Sequence, residues 1–248
     1  MAERSALGIV VRRRDSGESD RVLTILTSEF GKIDAVAKGA RKSASRLASS
    51  SEPLAVAYFT FAEGRARRFV TRAEPRRSFP GLRQDFDRLT FALALAELYA
   101  HVGQYEETDS GLHELLSESL GYLESHPTPP AAFLWAQVKL LEAAGFLPSF
   151  RQCVVTNLPV AEALAWYSPS MGGYLHASAL EATHDRLQVR VEVLYALGRL
   201  HEWSEPPPRI KFAGECGRLM TRIWGDVIDR PLPALQAAMN GGWSDGEP

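Results

Sequence analysis

Apolar and polar residues alternate with a period of two through the first eighty residues, then recur at three- and four-residue steps. Leu7–Arg14 reads as a first strand, with Leu7, Ile9 and Val11 facing inward and Val10, Arg12 and Arg14 facing out. The run Asp15-Ser16-Gly17-Glu18-Ser19-Asp20 has turn chemistry, and Val22–Thr27, dense in β-branched residues, is a second strand. A glycine-containing connection, Ser28–Lys32, leads into a third strand over Ile33–Lys38. Leu54–Phe61 alternates again, with Leu54, Val56 and Tyr58 on one face and Phe59 and Phe61 on the other, the core face. Glu63-Gly64-Arg65 turns the chain into a fifth strand, Arg68–Ala73. Five short strands suit a small closed barrel better than an open sheet, whose edges would stay unpaired. The pattern predicts a five-stranded OB-fold.

Beyond residue 80 the period changes to that of helices. Leu82, Phe86, Leu89, Leu93 and Ala96 form one apolar stripe, and Leu112, Leu115, Leu116, Leu120 and Leu123 another. Further helices are expected over Phe133–Ala144, which Gly145 stops, over Leu187–Trp203 and over Gly214–Ile228. Pro127, Pro129 and Pro130 mark one connection and Pro206, Pro207 and Pro208 a second. The Ser/Ala-rich stretch Lys42–Ser51 reads as a mobile loop, and the tail after Asn240 as frayed. The predicted class is α+β: a barrel domain over residues 1–80, then a mainly α-helical domain over 81–248.

Charge separates the same two regions. Residues 1–90 carry 18 Lys/Arg against 11 Asp/Glu, and the remainder 10 against 19, so the net charge of −2 conceals halves of opposite sign. A basic β module fits a polyanion and an acidic helical module fits protein contacts. Arg12 and Arg14 project from the first strand, Lys32 and Lys38 bracket the third, and Arg41, Lys42 and Arg46 occupy the loop after it. Such a cluster can track a phosphate backbone without sequence readout. Arg65, Arg67, Arg68, Arg72, Arg76 and Arg77 either extend the patch or pair with acidic helices. Phe30, Tyr58, Phe59 and Phe61 are the aromatic candidates for base stacking, and strand periodicity assigns most of them to the core, so phosphate contact should outweigh base readout.

Several chemistries find no support. No phosphate-binding Walker loop, nucleophile elbow or His-Glu-x-x-His occurs, and none of the six histidines is at metal-ligand spacing from another. Asp85 and Asp87 could suggest a nuclease metal pair, but they open a helix, where negative charge suits the dipole. Cys153 and Cys216 supply no disulfide framework. No apolar run is long enough to span a bilayer and the first residues lack a signal-peptide core, so a cytoplasmic location is expected, and the missing catalytic motifs point to a non-enzymatic protein without cofactor.

Four ordered segments resemble the RecO family of bacterial recombination mediators. They are Gly8–Arg14 with Gly17–Thr24, Leu26–Ile33 with Ala35–Lys42, Phe79–Arg83 continuing to Leu98, and Leu140–Pro148 running into Cys153-Val154-Val155. The resemblance implies an OB-fold followed by a helical domain. It implies binding of single- and double-stranded DNA, annealing of complementary strands in the RecF pathway, and help in loading RecA onto DNA coated with single-stranded-DNA-binding protein. It implies RecR and the C-terminal tail of single-stranded-DNA-binding protein as partners. The basic positions in matching segments are Arg12, Arg14, Lys32, Lys38, Arg41, Lys42 and Arg46, with Asp34 an acidic intruder among them. Lys139 and Arg151, near an apolar helix, are candidates to meet the carboxylates of that tail.

The chain departs from the family where many members carry two Cys-x2-Cys pairs, in an insertion at about 150–180. Here the pairs have become Cys153…Thr156 and His176…Ala179, too few thiolates and imidazoles for a structural zinc. Packing of Tyr167, Met171 and Tyr174 is expected to hold this loop instead. Three other readings compete with the mediator: an OB-fold protein of structured RNA or ribosomes, a metal-dependent nuclease, and a scaffold whose basic patch meets an acidic protein.

Overall fold

The computed structural model describes residues 3–64, 67–107, 110–160 and 164–243. It divides into two compact units, Met1–Glu124 and Ser125–Pro248.

The first unit is built on a closed barrel of β1 (Glu3–Ser16), β2 (Asp20–Thr27), β3 (Gly31–Ala37), β4 (Val56–Glu63) and β5 (Arg68–Arg77), in the order β1-β2-β3-β5-β4. Every pairing is antiparallel except β3 with β5, which is parallel and short: Ala35 opposite Arg68 and Val36 opposite Phe69. The long first strand serves both sides, pairing with β4 through its first half and β2 through its second. This is the five-stranded OB-fold.

The interior is filled by Ala6, Val10, Leu23, Ile25, Ile33, Ala35, Ala37, Ala57, Phe59, Phe61 and Val70. Phe59 and Phe61 are fully buried and stack at 6.1 Å between ring centres, as the alternation of β4 predicts. Truncating either to alanine would cost about 3–5 kcal/mol. In β1 the inward residues differ from the expectation. The register shifts between Val10 and Arg12, so Val10 enters the barrel, while Arg12 and Arg14 still face out. The bulge is held by the two residues that precede β4: Val10 N–H donates to Ala55 and Leu54 N–H to Val10, with Leu54 in a left-handed conformation (φ 68°).

Three helices complete the unit: α1 (Pro80–Gln84), α2 (Phe86–Val102) and α3 (Ser110–Ser125). The stripe expected to run unbroken from Leu82 is interrupted at Asp85, whose carboxylate caps α2 by accepting from Arg88 N–H at 3.0 Å. The restart rotates the helix face, and Phe86, placed on the stripe by spacing, is 78% exposed. The β3–β4 connection has local structure of its own. Successive turns run from Gly39 to Ala48 into a 3-10 turn at Ser49–Ser51, whose Ser50 and Ser51 are buried. Arg21 fastens it through Ser51 Oγ (2.6 Å) and Glu52 (2.9 Å).

The second unit contains α4 (Pro129–Ala143), a small sheet of β6 (Leu164–Ser168), β7 (Gly173–Leu175) and β8 (Leu187–Arg190), then α5 (Val191–Leu200), α6 (Ala213–Ile228) and α7 (Pro233–Met239). Helix α4 is buried almost all round, from Pro130 to Leu141, and packs on α5 and α6. The segment Leu187–Trp203 begins as a strand, because Leu187–Arg190 is taken up by pairing with β6. The chain end up to Trp243 is fixed: the Trp243 ring lies where a side chain on Gly217 would be, 2.4 Å from its Cβ position, and its indole N–H donates to Ala238. The rest of the expected frayed tail, residues 244–248, lies outside the described residues, as does Arg65.

Candidate nucleic-acid interface

The outer face of β1, β2 and β3 presents two cross-strand rows. Arg12 is opposite Thr24 and Thr24 opposite Asp34; Arg14 is opposite Val22, Val22 opposite Val36, and Val36 opposite Phe69. The same alternation that fills the barrel with Leu23, Ile25, Ile33 and Ala35 therefore delivers these residues outward. Lys38, just past the end of β3, carries its ammonium 4.6 Å from the centre of the Phe69 ring. Between the rows and the β3–β5 seam lies a pocket of about 400 Å³, lined by Arg14, Asp15, Val22, Asp34, Val36, Arg67 and Arg68 among others.

The seven basic residues singled out by sequence have different fates. Arg12, Lys38, Lys42 and Arg46 are exposed, and among the described residues none of the four has a carboxylate partner. Arg14 is exposed but 3.8 Å from Asp34, the acidic intruder, which also accepts from Thr24 Oγ1 at 2.7 Å. Arg41 is tied to the β1–β2 hairpin: its backbone N–H donates to Ser19, and its guanidinium lies 3.4 Å from Asp15 and donates to Gly17. This contact turns the start of the β3–β4 loop toward the hairpin that carries Arg14.

Lys32 does not belong to the surface. It is 4% exposed, its ammonium donates to the carbonyl of Ala100 in the last turn of α2 at 2.7 Å, and it lies 4.4 Å from the centre of the Tyr105 ring. Burial lowers its pKa, against the pull of Asp34. An outward strand position is covered here because the segment after α2 crosses it. Lys32 N–H donates to Gln104 and Glu106 N–H to Lys32, a parallel bridge beside β3. Gly31 permits the crossing: it has φ 64°, and a side chain there would meet the Glu107 carbonyl 1.9 Å from Cβ.

The other arginines divide too. Arg68 is held by Glu63 (2.8 Å) and Glu106 (2.9 Å), Arg72 and Arg76 share Glu74, and Arg77 covers the Phe79 ring. Arg67 is exposed at the pocket. Sequence reasoning missed Phe69 and Tyr105. Phe69 was legible as an outward position of β5, whereas Tyr105 reaches the face through a contact 71 residues away in sequence, its hydroxyl 3.4 Å from Asp34.

In the second unit, Cys153 is a buried free thiol that accepts backbone hydrogen bonds. Its Sγ accepts from the N–H of Thr156 at 3.5 Å and of His176 at 3.2 Å. Burial pushes the thiol up, but these N–H groups outweigh it and its pKa lies below the usual thiol value. The His176 ring is turned to Ser178, and no group of three or more metal-ligating side chains occurs among the described residues. A four-ligand zinc does not fit. Tyr167 and Tyr174 are buried as expected, but Met171 is 37% exposed; Asp185 ties the loop instead, accepting from Ser168 (2.5 Å), Thr183 (2.6 Å) and Ser170 N–H (2.8 Å). Lys139 and Arg151 are engaged, Lys139 by the His201 carbonyl and Glu142, and Arg151 by Glu202 at 2.7 Å.

Two family profiles match in chain order: Recombination protein O N terminal over residues 1–79, and Recombination protein O C terminal over 83–215. The chain is 30% identical over 238 residues to the DNA repair protein RecO of Bifidobacterium adolescentis, covering 92% of this chain and 96% of that one. It belongs to the RecO family. Other relatives named DNA repair protein RecO come from Gloeobacter violaceus (35% over 190 residues, 76% of this chain and 72% of the relative) and Gloeothece citriformis (39% over 158 residues, 62% and 56%). The matched part thus spans little more than half the length of the Gloeothece relative. The RecO N-terminal profile ends two residues past β5, so the family's first module coincides with the barrel that carries the cationic face. No helix among the described residues is long and apolar enough to cross a membrane.

Proposed function

We propose that this RecO-family chain is a non-catalytic DNA-binding mediator of recombinational repair in the RecF pathway. Residues 1–80 would hold the nucleic acid, and residues 81–248 would serve as the protein-binding domain. The observation that carries the reading is the set of exposed, carboxylate-free cations Arg12, Lys38, Lys42 and Arg46 on one barrel and its β3–β4 loop, in a chain of a DNA repair family. Arg14 and Arg41 extend the set, each partly neutralised by an aspartate.

Cations on a rigid barrel neutralise phosphates and release counterions. Two strands neutralised on one surface repel each other less, so complementary bases meet and pair. This needs no nucleophile, metal or cofactor, only a fixed array of charge. Single- and double-stranded DNA are the ligands. RecR, and the C-terminal tail of single-stranded-DNA-binding protein, are the proposed protein partners, through which RecA is loaded. The setting is the cytoplasm, at the nucleoid.

The test is annealing of two complementary labelled oligonucleotides, with structured RNA as competitor. The protein should accelerate annealing, and RNA should compete no better than DNA. No acceleration, together with capture by RNA at far lower concentration, would assign the barrel to RNA instead.

A further inference from the structure

Tyr105 comes from the segment after α2, outside the barrel, yet lies on the cationic face. It is 56% exposed, an unusual state for a large aromatic whose backbone is so firmly held. Gln104 and Glu106 bridge to Lys32 on either side of it, and Gly31 lets the segment approach the barrel strand closely. The hydroxyl is 3.4 Å from the Asp34 carboxylate. Lys32 lies over the ring at 4.4 Å and is itself buried, while more than half of the Tyr105 surface stays open to solvent.

Arg12 shares the cross-strand row of Thr24 and Asp34 beside this ring, and Arg14 lies across Asp34. Thr24 and Asp34 make the remaining surroundings polar. An apolar protein side chain docking here would strip those groups of water without replacing their hydrogen bonds. A nucleobase differs: its face stacks on the ring, its edge stays hydrogen-bonded, and its phosphate meets a guanidinium. Phe86, still more exposed, lacks this setting, because Asp85 and Asp87 flank it at the start of α2.

Building on the reading of the barrel as a DNA-binding face, we propose that Tyr105 is a stacking platform for an unpaired base, giving this face a preference for single strands that its charges alone do not supply. A duplex keeps its bases stacked inside and offers Tyr105 nothing, whereas phosphates are common to both forms.

Fluorescence anisotropy on Tyr105→Ala and Tyr105→Phe tests this, with a single-stranded oligonucleotide, an all-abasic strand of equal length and a duplex. Tyr105→Ala should weaken single-strand binding about five- to a hundredfold, with abasic and duplex affinities unchanged, and Tyr105→Phe should bind like the parent. Unfolding midpoints of the variants report on any loss of structure. If Tyr105→Ala weakens all three ligands alike, the ring only supports the barrel and the proposal falls. If Tyr105→Ala binds single strands normally while Lys38→Glu/Arg41→Glu/Lys42→Glu does not, stacking is wrong and the DNA-binding reading stands. If neither variant loses affinity, both fall.

Discussion

The ammonium of Lys32 donates a 2.7 Å hydrogen bond to the carbonyl of Ala100, joining the third barrel strand to the last turn of α2. A cation at the C-terminal end of a helix answers both an unpaired carbonyl and the helix dipole. Lys32→Ala should therefore lower stability by about 1–3 kcal/mol, by orphaning that carbonyl and opening a gap beneath Tyr105. Urea denaturation at neutral pH measures it. Because burial lowers the pKa of Lys32, the unfolded chain holds that proton more tightly than the folded one. The residue's contribution to stability should then rise with pH as the medium approaches the ordinary lysine value from below. A Lys32→Ala variant lacks that alkaline rise.

Asp34 puts a negative charge amid Arg12, Arg14 and the Tyr105 hydroxyl. Asp34→Asn keeps an acceptor for Thr24 and Tyr105 while removing repulsion toward phosphate. Affinity for single-stranded DNA at low salt should rise roughly fivefold, the effect of about 1 kcal/mol from one exposed charge. Unchanged or weaker binding would place the phosphates away from the outer face of β3.

Asp185 closes the loop of the second unit. Burial works against its charge, but hydrogen bonds from Ser168, Thr183 and Ser170 outweigh it and hold the carboxyl below the usual carboxylate range. A depressed folded pKa gives stability that is complete at neutral pH and is lost as pH falls through and below the ordinary carboxylate value. Asp185→Ala should cost about 1–3 kcal/mol at neutral pH, and the difference from the parent should shrink below about pH 4. Denaturant midpoints across that range check it; a constant difference would mean the carboxylate is not what ties Ser168 to Thr183.

The barrel was legible because alternation in short strands is a direct print of one buried face. Phe59 and Phe61 could be assigned from β4 alone. Val10 could not: the bulge beside it is imposed by Ala55 and Leu54, a contact distant in sequence. Lys32 failed for the same reason, since a strand's outward face reads as solvent until another segment crosses it. Tyr105 was invisible because nothing near it in sequence points to Asp34. Composition gave the loop Lys42–Ser51 no path, which comes from Arg21 reaching across from β2 to Ser51. The exposed cations Lys38, Lys42 and Arg46 were readable because they needed only to be left outside.

The salt dependence of single-strand binding by Lys38→Glu/Arg41→Glu/Lys42→Glu, beside the unaltered chain, tests the central claim most directly. If these side chains neutralise phosphates, the slope of log affinity against log salt should become shallower by about two, near 0.7 for each phosphate left without its cation, and low-salt binding should weaken sharply. Equal slopes and equal affinities in the two proteins would contradict the account.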